Sequence, residues 1–249
     1  MNIDYPLQSQ IQELRTLWQA CFGDEDAFLD AFYAHGFAPD RCRCVTEDGK
    51  IVAALYWFDC SVNAQPIAYL YAIATAKAER GRGLCRALME NTHNHLKYLG
   101  YAGAILVPAE EKLFGMYEKM GYTTCSGITE FPCTAGEEKI PLRKLCGEEY
   151  AAQRREYLPP NSVLQEGNSI EFLQTMTDFY AGDDFLLAIA KEENYAPELL
   201  GNCELAPRIL SALGRKTCRF RIPGTEKPFA MYHPLSDASA PEYFGLAFD

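Results

Sequence analysis

Apolar residues recur at three- and four-residue spacing from Ile11 to Cys21 (Ile11, Leu14, Leu17, Trp18, Cys21), which predicts an amphipathic helix over 11–22 that Gly23 ends. Asp24 then caps a second helix with Ala27, Phe28, Ala31 and Phe32 along one side, stopped by Gly36 and Pro39. The pattern next changes to strands over 41–46, 51–62 and 67–75. Asp48-Gly49 makes a hairpin between the first two, and the Asn63–Pro66 turn leads into the third. A long helix over 83–99 has Leu84, Leu88, Leu96 and Leu99 on its inner face and closes at Gly100. A continuous apolar run at 102–107 reads as a buried strand. A helix over 110–120 closed by Gly121 and a strand over 122–131 follow.

The polar stretch Thr134-Ala135-Gly136-Glu137-Glu138 breaks this rhythm, and a boundary there divides the chain into 1–138 and 139–249. Beyond it the pattern predicts helices over 148–157 and 169–180, a strand over 185–190, a segment through Glu198-Leu199-Leu200-Gly201, a helix over 206–213, and strands over 216–222, 229–233 and 243–248. This order echoes the first half without a residue-level repeat. It suggests a second, degenerate copy of the same fold. The fold class expected is α/β (α+β): a mixed, mostly antiparallel central sheet flanked by helices.

Composition narrows the function. The 249 residues are 48% hydrophobic and 23% charged, as in a globular protein with a sizeable core, and the net charge is −11. That acidity argues against nucleic acid or an anionic membrane as partner and suits a cationic substrate. No stretch reads as a secretory signal or a membrane span, which gives the expectation of a cytoplasmic protein. The ten cysteines form no Cys-x-x-Cys knuckle, and the four histidines form no ligand motif, so no metal is expected. The cysteines read as reduced, small apolar residues.

One stretch runs against the overall charge. Lys77, Arg80, Arg82 and Arg86 crowd together where a strand turns through Gly81 and Gly83 into the 83–99 helix. A Walker loop does not fit, since it needs Gly, four residues, then Gly-Lys-Ser/Thr. A dinucleotide fingerprint does not fit either, because Arg86 occupies the place of its third glycine. What is left is a helix start whose first amides lack intrahelical partners, whose dipole end is positive, and whose glycines let an anion approach the backbone. A bound diphosphate is the chemistry this arrangement serves.

Arg80-Gly81-Arg82-Gly83-Leu84-Cys85 resembles the Arg/Gln-x-x-Gly-x-Gly/Ala motif of the GNAT superfamily, the Gcn5-related N-acetyltransferases. Leu113-Phe114-Gly115-Met116-Tyr117-Glu118-Lys119-Met120-Gly121-Tyr122 is similar to that family's second landmark, a Leu-Tyr-Glu-x-x-Gly-Phe/Tyr helix end. Cys85 replaces the usual Gly or Ala, and Glu110 stands near where many members have a cofactor-contacting Asn. The stretch Leu106-Val107-Pro108-Ala109 followed by a Tyr-bearing helix resembles the branch of the enhanced-intracellular-survival acetyltransferases, which carry two such domains in tandem. In the second half the counterpart of the loop is 200–205, with one glycine and no basic residue before Arg208, so only the first half is expected to bind the cofactor.

The resemblance implies an acetyl-CoA-dependent N-acetyltransferase. Ile73, Ala74 and Thr75 would present backbone groups to the thioester and pantetheine. Arg80, Gly81, Arg82, Gly83, Leu84, Cys85 and Arg86 would hold the diphosphate, and Tyr117 would protonate the departing thiolate. The acceptor would be a small-molecule or peptide amine. Asp59, Glu110 and the C-terminal carboxylate are the candidates for a base. Tyr33, Phe37, Tyr56, Trp57 and Phe58, with the acidic 24–26 stretch, are candidates for the acceptor side. A reading from another class is a non-catalytic acyl-CoA-binding or sensing module. The second half is also a candidate interaction surface, including that of a homodimer.

Overall fold

The computed structural model describes residues 1–248. Its first half runs β1 (Asn2–Asp4), α1 (Ile11–Phe22), α2 (Asp26–Ala31), β2 (Cys42–Glu47), β3 (Lys50–Val62), β4 (Gln65–Thr75), α3 (Leu84–Tyr98), β5 (Gly103–Leu106), α4 (Glu111–Glu118) and β6 (Thr123–Thr134). The second runs β7 (Arg143–Leu145), α5 (Gly147–Tyr157), β8 (Leu164–Gln165), α6 (Asn168–Met176), β9 (Thr177–Ala181), β10 (Phe185–Ala190), β11 (Tyr195–Ala196), β12 (Glu198–Gly201), α7 (Ala206–Leu213), β13 (Thr217–Pro223) and β14 (Lys227–Pro234).

The main sheet has the order β1-β2-β3-β4-β5-β14-β6-β13-β11, with β8 added beside β3. Its pairs are antiparallel except β4 with β5 and β11 with β13. A smaller antiparallel sheet has the order β12-β10-β9-β7. This is the mixed, mostly antiparallel sheet flanked by helices that the hydrophobic pattern implied. Alternation along β3 shows how the sheet divides the core. Ala54, Tyr56, Phe58 and Cys60 face the cluster containing residues of α1, α2, α5 and α6. Ala53, Leu55 and Trp57 face the other side, against α3 and Tyr117 of α4. A third cluster lies under α7.

The main sheet crosses the 138/139 division. β14, from the end of the chain, lies between β5 and β6 and is antiparallel to both. β6 in turn pairs with β13. In each half a parallel pair of strands flanks a helix, β4 and β5 around α3, β11 and β13 around α7.

Three local expectations are corrected. The helix expected over 169–180 ends at Met176, and Thr177–Ala181 is strand β9 with alternating burial. Its apolar residues suit both periods locally, and pairing with β10 and β7 decides for the strand. Asp24 does not cap α2. Glu25 is the N-cap residue, while Asp24 accepts the indole N–H of Trp18 at 2.7 Å. The segment 243–248 is not a strand within either sheet. It is an extended tail tied down by side chains: Gln165 Nε2 donates to Leu246 O at 2.7 Å, Arg221 to Gly245 O at 3.0 Å, and Phe244 N to Ser126 Oγ at 3.1 Å.

Candidate active site

β4 pairs with β5 only through Ile67, Ala68 and Tyr69. Beyond Tyr69 the two strands separate, so one edge of the 70–75 segment is released from β5. On its other edge the register with β3 shifts between Tyr56↔Tyr71 and Ala54↔Ala74, leaving Ala72 and Ile73 opposite Leu55. This is a β-bulge, and Ala72 sits in it at φ +48. A non-glycine residue there costs about 1–2 kcal/mol. The strain is tolerated because both neighbouring registers are fixed by sheet pairing. The bulge places Ile73, Ala74 and Thr75 on a splayed strand end, where backbone polar groups can meet an extended ligand.

The chain then passes through a short 3₁₀ turn at Lys77–Glu79 into the loop. Gly81 and Gly83 have φ +82 and +79, and nothing lies within 4 Å of where a Cβ would stand on either. Glycine is therefore required here for conformation, and the space above the loop is open. Gly83 is the N-cap residue of α3 and offers no side-chain cap to the first turn. The amides of Leu84, Cys85 and Arg86 lie at the positive end of a fifteen-residue helix. This arrangement can hold an anion.

The arginines of the loop are partly engaged. Arg82 pairs with Glu47 (2.8 and 3.3 Å) and with Glu79, which keeps its guanidinium firmly protonated. Arg80 Nε donates to Thr75 O at 3.2 Å and closes the loop on the end of β4. Arg86 donates to Lys119 O at 3.1 Å, linking the start of α3 to the end of α4. Glu47 and Glu79 were not singled out in the sequence. Glu47 is 35 residues from Arg82, and only the hairpin of β2 and β3 brings it there.

Tyr117 is brought to this same place. Its ring is buried in the cluster that holds Leu84 and Leu88 and against which Ile73 and Cys85 pack. Burial, with a smaller effect from Cys85, raises its phenol well above the ordinary tyrosine value, so it keeps its proton at neutral pH. Its hydroxyl makes no hydrogen bond to another described residue. The ring meets Tyr122 edge-on, with centroids 5.8 Å apart. The Tyr122 hydroxyl pairs with His93 Nε2 at 2.7 Å, and His93 stacks on His233 of β14. The sequence pointed to neither histidine, because 140 residues separate two side chains that touch.

Burial first, and then His233, lower the His93 pKa to about 3 from an ordinary 6.5. A neutral folded histidine that would be charged when unfolded stabilises fully above pH 6.5, and this stability is lost as pH falls toward 3. The expected loss from this one group is roughly 1–2 kcal/mol between pH 7 and pH 5. Urea denaturation at both pH values checks it. His93→Gln should show a smaller drop than the parent protein, and equal drops would exclude the assignment.

The other candidates are placed elsewhere. Asp59 lies opposite Ala68, five residues from Ile73 and roughly 16 Å away along β4. Both of its oxygens accept from Arg41 Nε at 2.9 Å and Oδ1 accepts from Tyr101 as well, which makes it a structural carboxylate. Glu110 is the exposed N-cap residue of α4 and pairs with Lys112. The carboxylate of Asp249 lies outside the described residues. Tyr56, Trp57 and Phe58 are core residues, and Tyr33 and Phe37 pack at its margin. A cavity of about 360 Å³ lies between α2, α6 and the tail, with Phe28, Leu173, Tyr195 and Phe248 among its lining and Glu192 and Glu193 beside them. Among the described residues no group of three or more His, Cys, Asp or Glu side chains is arranged to hold a metal ion. No helix among them is long and apolar enough to cross a membrane.

The family model of the acetyltransferase (GNAT) domain matches residues 2–125. Through this domain the chain belongs to the GNAT superfamily of acetyltransferases. Among solved structures, a GCN5-related N-acetyltransferase from Kribbella flavida is similar, with a TM-score of 0.72 and 17% identity over 94% of this chain and 72% of that one. Eis1 from Mycobacterium abscessus has a TM-score of 0.68 and 12% identity over 94% and 74%. A GCN5-related N-acetyltransferase from Anabaena variabilis has a TM-score of 0.69 and 13% identity over 94% and 73%. At these identities the likeness is one of fold. No curated protein matches the sequence significantly.

Proposed function

We propose that this protein transfers the acetyl group of acetyl-CoA to an amine. The observation that carries this reading is the meeting, in one packed cluster, of the splayed end of β4, the uncapped first turn of α3 and a protonated buried phenol. The first-turn amides of α3, with Arg80 and Arg86, would hold the diphosphate, while Ile73, Ala74 and Thr75 would lie along the pantetheine. The thioester supplies an activated acyl carbon and a thiolate leaving group. Tyr117 would give that thiolate its proton, and backbone donors on the splayed strand would stabilise the oxyanion. The cavity beside Phe248 is the acceptor route we favour, because Phe248 packs on Tyr71 next to the bulge and Glu192 and Glu193 suit a cationic amine. The second half is read as a degenerate copy that does not bind the cofactor, from its repeated parallel strand pair around α7 and its lack of a basic glycine loop.

Tyr117→Phe should lower kcat by roughly 10²-fold or more, with coenzyme A affinity by calorimetry held within about twofold. Tight coenzyme A binding with no thiol release, in the parent protein and across a panel of amines, would favour a binding module instead. Gly83→Glu should weaken coenzyme A binding by roughly 10²-fold, since it puts strain and a negative charge at the anion site. Gly83→Asn, which tolerates the left-handed conformation, should bind more nearly like the parent. Unchanged affinity in Gly83→Glu would place the diphosphate elsewhere.

A further inference from the structure

His233 is the next-to-last residue of β14 and touches two of the elements that build the proposed site. Its ring lies on His93 of α3, with centroids 4.2 Å apart and planes within 11° of parallel. Its Nδ1 donates to Gly121 O at 3.1 Å, in the turn that ends the Tyr117 helix. Gly121 has φ +86, and a Cβ on it would stand 3.0 Å from the His233 ring, so the turn is seated directly on the imidazole. The next residue, Tyr122, donates its N–H to Tyr117 O at 3.1 Å, hydrogen-bonds His93 through its hydroxyl, and meets the Tyr117 ring edge-on. A strand from the end of the chain thus braces the cofactor helix and the acid helix together.

The Tyr117 hydroxyl has no hydrogen bond to a described residue to aim it. The direction of its ring is set by packing and by the turn at 121–122. A misplacement of about 1 Å in a reacting group costs on the order of 10²-fold in rate. We infer that His233, acting through Gly121, His93 and Tyr122, is a positioning residue for Tyr117, so that the second half completes the catalytic site of the first without touching the acyl donor. The inference rests on the reading of Tyr117 as proton donor.

Steady-state kinetics with acetyl-CoA and a panel of primary amines tests it. His233→Ala should lower kcat about tenfold or more, with KM for acetyl-CoA and coenzyme A affinity within about twofold. In a Tyr117→Phe background the same change should alter kcat by less than about twofold, because the group being positioned is gone. His233→Phe keeps the stacked ring and should retain more activity than His233→Ala. An unchanged kcat in His233→Ala, or an additive loss in the Tyr117→Phe background, would overturn the inference. A second readout does not depend on turnover. In protein labelled with [¹³Cζ]tyrosine, the Tyr117 line, assigned by its loss in Tyr117→Phe, should shift in His233→Ala and in His233→Phe. An unmoved line overturns the positioning role. A moved line with full activity in Tyr117→Phe instead overturns the proton-donor reading.

Discussion

Residues 1–138 expressed alone are expected not to fold cooperatively. The cut removes β14 from between β5 and β6 and β13 from the far side of β6, so β5 keeps a bare edge and β6 has no partner strand. It also removes Phe229, Met231, Tyr232, Phe244 and Leu246, all buried against the first half or the shared core. At about 1.5–3 kcal/mol per buried large side chain, the loss is on the order of 10 kcal/mol. That equals the whole stability of a typical domain. The fragment should show no sharp urea transition, weak near-ultraviolet circular dichroism, and binding of a hydrophobic dye. Co-expression with 139–249 should restore a soluble, cooperatively folding complex. A sharp two-state transition for 1–138 alone would show that β14 is dispensable.

The second large effect is expected at Glu198, a fully buried carboxylate of β12. It accepts bonds from Arg154 Nε at 2.6 Å, Arg154 Nη2 at 2.9 Å, Tyr150 at 2.7 Å and Tyr243 at 3.0 Å. Arg154 is buried as well and gives a further bond to Val163 O at 3.0 Å. The network therefore joins α5, β12, the approach to β8 and the C-terminal tail. Glu198→Ala leaves the Arg154 cation buried without its partner and should cost about 3–5 kcal/mol in urea denaturation. Replacing both charges, as in Arg154→Met with Glu198→Leu, should recover only part of that loss: no charge is left unpaired, but the buried hydroxyls of Tyr150 and Tyr243 lose their acceptor. A loss under about 1 kcal/mol for Glu198→Ala would mean that water reaches Arg154.

Much of the candidate site was legible because its signals are local. The helix start at Gly83 follows from two glycines beside a charge reversal within ten residues, and both glycines take positive φ. The 11–22 helix appears at the expected residues because its apolar spacing, and Gly23 after it, leave little alternative. Local reading failed where two periods fit the same residues. The 169–180 segment places apolar side chains at helical spacing, yet Thr177, Phe179 and Ala181 also alternate, and β10 supplies the partner strand that settles it. The 243–248 tail is apolar enough for a strand, but beyond a single backbone bridge at Tyr243 its backbone groups are met by Ser126, Gln165 and Arg221.

The basic loop and the Tyr117 helix are where the sequence alone placed them, because the conformational needs of glycine and the periodicity of a helix act over a few residues. What that loop is joined to was decided only in three dimensions. The bulge at Ala72 depends on register with β3, and the hold on Arg82 depends on a hairpin carrying Glu47. The seat of the Tyr117 helix depends on β14 arriving from the far end of the chain with His233. These contacts join residues tens to more than a hundred positions apart. The first two form when β2, β3 and β4 pair, and the third only once the sheet has closed around β14, so no short window of the chain carries their signal.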